Sequence, residues 1–122
     1  MSLKILVVDD ELSLRMLISA TLEGENYSIN EAEDGMEALN IIKSQQPDLI
    51  ILDVMMPGMS GFEVCKIVKS NPELSKIKIL LLTAKAQKSD REEGQKTGAD
   101  YFLAKPFSPY ELLNIINDIF SN

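Results

Sequence analysis

The chain has 122 residues, 45% hydrophobic and 25% charged, with 19 acidic against 12 basic side chains and a net charge of −7. That balance suits one soluble domain with a real core, expected in the cytoplasm: no apolar run nears the ~20 residues that cross a bilayer, and the N-terminus lacks a signal-peptide pattern. The acidity argues against direct nucleic-acid binding, and a single Cys65 with no histidine excludes an internal disulfide, a Cys/His zinc site and a histidine-based triad.

Ile5-Leu6-Val7-Val8 is an apolar, β-branched run that ends at Asp9-Asp10-Glu11, and it reads as a first strand. Leu14, Leu17, Ile18, Thr21 and Leu22 then recur at helical spacing, with Gly24 suited to the helix C-terminus. Tyr27 to Ala32 alternates as an edge strand does, Asp34-Gly35 opens the next turn, and Ala38, Leu39, Ile41 and Ile42 mark a second amphipathic helix. Pro47 precedes Leu49-Ile50-Ile51-Leu52, an unbroken apolar run typical of a strand buried on both faces. It stops at Asp53 and passes into a loop containing Pro57, Gly58 and Gly61.

Phe62, Val64, Cys65, Ile67 and Val68 predict a third helix, in which Cys65 is a small core residue. Ile77 to Leu82 is another apolar strand, ending at Thr83-Ala84. Residues 85–98 carry little to bury, so any helix there is weakly held. Tyr101 to Ala104 reads as a final strand ending at Lys105-Pro106. Ser108 and Pro109 then start a helix whose core side is Leu112, Leu113, Ile115, Ile116, Ile119 and Phe120. Five βα units in one unbroken domain, residues 1–122, imply a parallel sheet covered on both faces, with every strand's carboxyl end on one edge.

That edge collects Asp9 and Asp10, Asp53, Thr83 and Lys105 from four strands. Each alone has an ordinary explanation: a helix cap, a turn-forming Asp, a β-former, a solvated amine. Together they are three carboxylates, a hydroxyl and an ammonium at the place where open α/β sheets bind ligands. Crowded carboxylates raise one another's pKa, and a hard divalent cation relieves the repulsion. With one carboxylate as nucleophile, the set suits formation of an aspartyl phosphate.

Four motifs stand in order at these strand ends: Val7-Val8-Asp9-Asp10-Glu11; Leu52-Asp53-Val54-Met55-Met56-Pro57-Gly58-Met59-Ser60-Gly61; Leu82-Thr83-Ala84; and Lys105-Pro106-Phe107. On these the whole chain resembles the CheY-like receiver domains of two-component response regulators. The resemblance, not the spacing, implies a flavodoxin-like doubly wound sheet in the order 2-1-3-4-5. It implies phosphorylation of Asp53 by the phosphohistidine of a sensor histidine kinase or histidine phosphotransfer protein, with no catalysis beyond phosphoryl acceptance and slow autodephosphorylation. Mg²⁺, with Mn²⁺ as the alternative, would be held by Asp10 and Asp53, by Asp9 through water, and by the Met55 backbone carbonyl. Lys105 and Thr83 would contact phosphoryl oxygens, small Ala84 would leave the phosphoryl site open, and the Lys105-Pro106 bond would be cis. Thr83 and Phe102 would form the switch, Phe102 standing where many relatives have Tyr, with Tyr101 on the opposite face; the 83–105 region would change conformation.

Three other readings compete. A degenerate receiver would serve as a phosphorylation-independent interaction module, which the intact acidic set, Thr83 and Lys105 disfavour. An aspartate-nucleophile phosphatase would have a second acid where Met55 stands, and a flavodoxin-like cofactor binder would need a Ser/Thr/Gly-rich loop after strand 1. The methionines of the loop after Asp53 are expected to serve packing. The output is expected in a downstream protein or a linked domain. The last helix lacks the basic run common at its end in the DNA-binding relatives, so their pairing of receivers is not expected, and the unphosphorylated chain is expected to be a monomer.

Overall fold

Strands and helices alternate strictly: β1 Leu3–Val8, α1 Leu12–Leu22, β2 Tyr27–Ala32, α2 Gly35–Gln45, β3 Leu49–Asp53, α3 Gly61–Ser70, β4 Lys78–Ala84, α4 Lys88–Thr97, β5 Tyr101–Lys105 and α5 Pro109–Ser121. A computed structural model describes these elements over residues 2–84 and 88–121, with the side chains of residues 88–90 outside the described set. Residues 85–87 of the expected weak segment lie outside the described residues. The five strands form one parallel sheet in the order β2-β1-β3-β4-β5.

Burial explains why the apolar runs are strands. All five residues of β3 are buried, as the central position demands, whereas edge strand β2 buries only Ala32 fully. Alternate residues feed two separate cores. Leu6, Val8, Ile50, Leu52, Ile79 and Leu81 pack with α2 and α3 residues such as Ile42, Val64 and Cys65. Ile5, Val7, Leu49, Ile51, Leu80 and Leu82 pack on the other face with Ile18 of α1 and Leu112, Ile116 and Ile119 of α5.

Local chemistry marks the helix ends. Asp34 accepts from the Glu37 amide at 2.8 Å at the start of α2. Ser60 and Glu63 form a reciprocal capping box on α3, and Ser108 and Glu111 make the same pair of bonds on α5. Gly24, just past α1, has φ +88°, a backbone region that disfavours other residues.

Three details differ from the expectation. β4 starts at Lys78 and takes in Thr83 and Ala84, while Ile77 is buried in the preceding turn, its amide bonded to the Leu74 carbonyl. Leu17 of α1 is 42% exposed and Ile67 of α3 is 39% exposed, although both fit the helical repeat. The buried stripe is narrower than the pattern suggests: α1 buries only Ile18 and Leu22, and α3 buries Gly61, Val64, Cys65 and Val68.

Candidate functional site at the carboxyl edge of the sheet

Strand register builds the site. Val8 pairs with Leu52, so the next residues, Asp9 and Asp53, leave adjacent strands at the same level. Thr83 stands opposite Ala104 and Ala84 opposite Lys105, one and two steps beyond the Asp53–Leu82 pair. By strand alternation Asp53 and Lys105 lie on the α1/α5 face, while Thr83 and Phe102 share the α4 face. The structure thus brings Asp9, Asp10, Asp53, Thr83 and Lys105 to one edge, and places Phe102 opposite Leu81, two register steps behind Thr83.

Two of the carboxylates are almost sealed from solvent: Asp9 is 0% and Asp53 2% exposed, and Thr83 is 3% exposed. Lys105 Nζ lies 3.0 Å from Asp53 Oδ1 and 3.4 Å from Asp9 Oδ2, bridging the two strands. The Met55 amide donates to Asp53 Oδ1 at 3.3 Å, and the Glu11 amide donates to Asp9 Oδ1 at 2.9 Å. Gly61 lets α3 start against this strand end, because a Cβ there would collide with the Asp53 carbonyl.

Electrostatics shows a site under strain. Burial is the main cause raising the Asp53 carboxyl pKa above its ordinary value; Lys105 and the Met55 amide pull it down, and Asp10 pushes it up. Asp9 is raised too, first by burial and then, against the Glu11 amide, by the charge of Asp53. Burial alone would lower the Lys105 pKa, but its hydrogen bond to Asp53 and the charges of both carboxylates outweigh that and raise it. One ammonium therefore only partly offsets the acidic set.

A cation fits the remaining deficit. Asp9, Asp10 and Asp53 each offer one carboxylate oxygen, and these oxygens all lie within 4.8 Å of one another. An all-oxygen set with two members buried and Asp10 exposed suits a hard divalent ion that keeps part of its water shell. Beside it a groove of about 620 Å³ runs from Glu11 and Leu14 past Ala84 to Lys105 and Phe107. Ala84 borders the groove without filling it, as its small size suggests.

Other residues complete the picture. The Lys105-Pro106 peptide is cis. Phe102 packs on the α2/α3 core side and Tyr101 on the α1/α5 side, as strand alternation requires. Arg91 of α4 lies over the Phe102 ring, 5.6 Å from its centroid. Met56 is buried and Met59 packs against the core, but Met55 is 71% exposed, so packing does not account for all the loop methionines.

The sequence reading missed Arg15, whose Nη1 donates to the Asp9 backbone carbonyl at 2.7 Å. A signal was present: helix side chains lean toward the helix N-terminus, so a long cationic residue closing the first turn of α1 reaches back to the strand end.

Comparison with known proteins agrees with this geometry. Residues 5–117 match the family described as the response regulator receiver domain. The chain is 46% identical over 110 residues to the transcriptional regulatory protein ResD of Bacillus subtilis, covering 90% of this chain and 45% of that protein. It is 46% identical over 112 residues to the alkaline phosphatase synthesis transcriptional regulatory protein PhoP of the same organism, covering 92% of this chain and 46% of PhoP. The chain thus spans about half the length of the curated relatives it matches. Among solved structures, the chemotaxis protein CheY4 of Vibrio cholerae is similar with a TM-score of 0.92 and 38% identity over 98% of this chain and 100% of that one. A response regulator structure from Chloroflexus aurantiacus gives a TM-score of 0.94 and 35% identity over 100% of both chains. The sheet order, the motifs at four strand ends and these likenesses place the chain in the response regulator receiver domain family.

Proposed function

We propose that the domain is a phosphoacceptor switch in which Asp53 takes a phosphoryl group from a phosphohistidine. The observation that carries this reading is the Asp53 carboxylate itself: 2% exposed, 3.0 Å from Lys105, and grouped with two further carboxylates. A carboxylate oxygen of Asp53 attacks phosphorus, the P–N bond of the donor breaks, and the imidazole nitrogen leaves with the electron pair and takes up a proton. Because little covalent assistance is needed, the protein's contribution is positioning and charge compensation.

Lys105 is the fixed cation of the site, and it would transfer part of its pairing from Asp53 to an oxygen of the incoming group. Thr83 would donate its hydroxyl to a second oxygen, and Ala84 leaves space beside it. Asp10, Asp53, Asp9 through water, and the Met55 carbonyl would hold Mg²⁺, or Mn²⁺. Bound there, the ion would supply Lewis-acid compensation for the charge on the transferring group.

The switch rests on the α4 face. A phosphoryl group adds about −1.5 to −2 charges and three acceptor oxygens. Thr83 moving toward it would vacate space that Phe102, from the same face of the sheet, can fill. Phe102 has no hydroxyl, so its rearrangement would be driven by packing and by its contacts with Arg91 and Gly94. The donor would be a sensor histidine kinase or a histidine phosphotransfer protein. The relatives ResD and PhoP are named as transcriptional regulators, so control of a linked output domain is one destination and a separate protein target the other. With its net charge of −7 the domain itself would not bind nucleic acid.

Beryllofluoride with Mg²⁺ tests the reading, since it mimics the phosphoryl group without a donor. Binding should shift the amide resonances of Asp53, Thr83 and Phe102 together; spectra that stay unchanged at saturating reagent would contradict the proposal.

A further inference from the structure

Arg15 is only 11% exposed at its side chain, an uncommon position for a guanidinium in an acidic surface region. Such burial persists only where the donors are used. Nη1 donates to the backbone carbonyl of Asp9 at 2.7 Å, and Nε lies 3.2 Å from Glu31 Oε1 on β2. The other oxygen of Glu31 accepts from Ser19 Oγ at 3.1 Å. Neither contact of Arg15 is to a carboxylate of the Asp9, Asp10 and Asp53 set.

We infer that Arg15 is a positioning residue for the acidic pair after β1, acting through the peptide plane that joins Asp9 to Asp10. The inference rests on the reading of these carboxylates as metal-holding groups. A peptide is planar, so fixing the Asp9 carbonyl fixes the direction in which the Asp10 backbone leaves. Asp9 is anchored several times over: its amide bonds to the Ala32 carbonyl, Oδ1 accepts from the Glu11 amide, and Oδ2 faces Lys105. Asp10 is exposed, and its placement toward Asp53 is inherited from the backbone before it.

The energies support this division. An isolated Arg–Glu pair at a partly exposed site contributes little. A short bond from a guanidinium to a carbonyl is charge-assisted and stronger. Glu31 and Ser19 thus orient the guanidinium, and the carbonyl receives the constraint. Residues that orient a ligating group without touching the metal typically change affinity by roughly 10-fold or more.

The test is Mg²⁺ titration by calorimetry on the whole chain, beside thermal melting in EDTA, for wild type, Arg15→Met, Arg15→Lys and Glu31→Ala. Arg15→Met should weaken Mg²⁺ by roughly 10-fold and shift the Asp10 and Glu11 amides. Arg15→Lys should recover only part, since one ammonium lacks the fork that reaches the carbonyl and Glu31 together. Glu31→Ala, on an exposed edge strand, should weaken Mg²⁺ by about 3-fold with the fold intact. An Arg15→Met chain that melts lower but binds Mg²⁺ like wild type is a strut and overturns the inference alone. A wild type that binds no Mg²⁺ at millimolar concentration removes the metal reading and this inference together. If Arg15→Met does not fold, Glu31→Ala decides by the same measure: unchanged affinity overturns the inference.

Discussion

Helices α4 and α5 flank β5 on opposite faces, and they are held in opposite ways. α5 sinks Leu112, Ile116 and Ile119 into the core it shares with α1 and the sheet. Among the described residues of α4, the one buried position is Gly94, where a Cβ would come within 2.5 Å of Phe102 Cε1 and 2.8 Å of Leu81 Cδ1. Among the described residues, the Arg91–Phe102 contact and a Thr97 carbonyl that accepts from Cys65 Sγ at 3.6 Å add to this, and α4 also packs along α3. One helix is fastened by its own apolar side chains, the other, among its described residues, by the close fit of Gly94 to Phe102 and Leu81 and by its contact with α3. Apolar area resists displacement, whereas a fit around one ring can be exchanged for another when the ring moves. On the proposed switch reading, α4 would be the element through which a change at Thr83 and Phe102 reaches the surface.

The contrast can be broken most strongly at α5. Ile116→Ala should cost about 3 kcal/mol, read by chemical denaturation, because a fully buried branched side chain leaves a cavity between helix and sheet. At α4 two effects oppose each other in Gly94→Ala. Helix propensity favours Ala by about 1 kcal/mol, while overpacking against Phe102 and Leu81 costs about 1–3 kcal/mol. The obstacles are the half-buried Phe102 ring and the fully buried Leu81 of the sheet, so net destabilisation is expected, with Phe102 resonances displaced. Stabilisation by the full propensity gain would show that α4 floats free of β5.

The acidic edge gives a prediction of opposite sign. Asp53 is raised chiefly by burial, so the folded chain binds its proton more tightly than the unfolded chain. Between the ordinary carboxylate pKa and the raised one, stability from this group therefore falls as pH rises. Asp53→Asn should melt above the metal-free wild type at pH 7, and the difference should shrink as pH falls toward about 4. Adding Mg²⁺ should raise the wild-type midpoint and leave that of Asp53→Asn nearly unchanged. An Asp53→Asn chain less stable than wild type at neutral pH would show that the Lys105 pair dominates burial.

The smallest effects lie at exposed positions of α4. Arg91→Ala should cost about 0.5 kcal/mol through the lost contact with Phe102. Glu93→Ala, exposed on the same helix, should stay within about 0.5 kcal/mol of wild type in either direction. A larger effect at Glu93 would reveal an anchor that the packing does not account for.

The element order and the acidic edge were legible because buried parallel strands read as uninterrupted apolar runs that end in polar residues. Asp9, Asp53, Thr83 and Lys105 needed only the rule that all strand ends share one edge. Sheet order and the cis Lys105-Pro106 peptide came from family likeness, since no local pattern encodes which strand lies beside which. Arg15 stayed hidden because a charged residue on an amphipathic helix looks like solvent-facing surface until the strand beside it is placed. Gly94 was passed over for a related reason: a glycine in a polar helix reads as a weakness, whereas here it admits the edge of Phe102. Leu17, Ile67 and Met55 show the reverse error, apolar residues assigned to packing that stand partly or largely in solvent.

The central claim is that phosphorylation occurs at Asp53 and depends on the acidic set around it. Intact-mass measurement after incubation with acetyl phosphate and Mg²⁺ tests it most directly, with borohydride reduction used to locate the acyl phosphate. The account predicts one added phosphoryl group at Asp53, lost in Asp53→Asn and on chelation of the metal. Equal labelling of Asp53→Asn, or labelling of wild type at another residue, would contradict it.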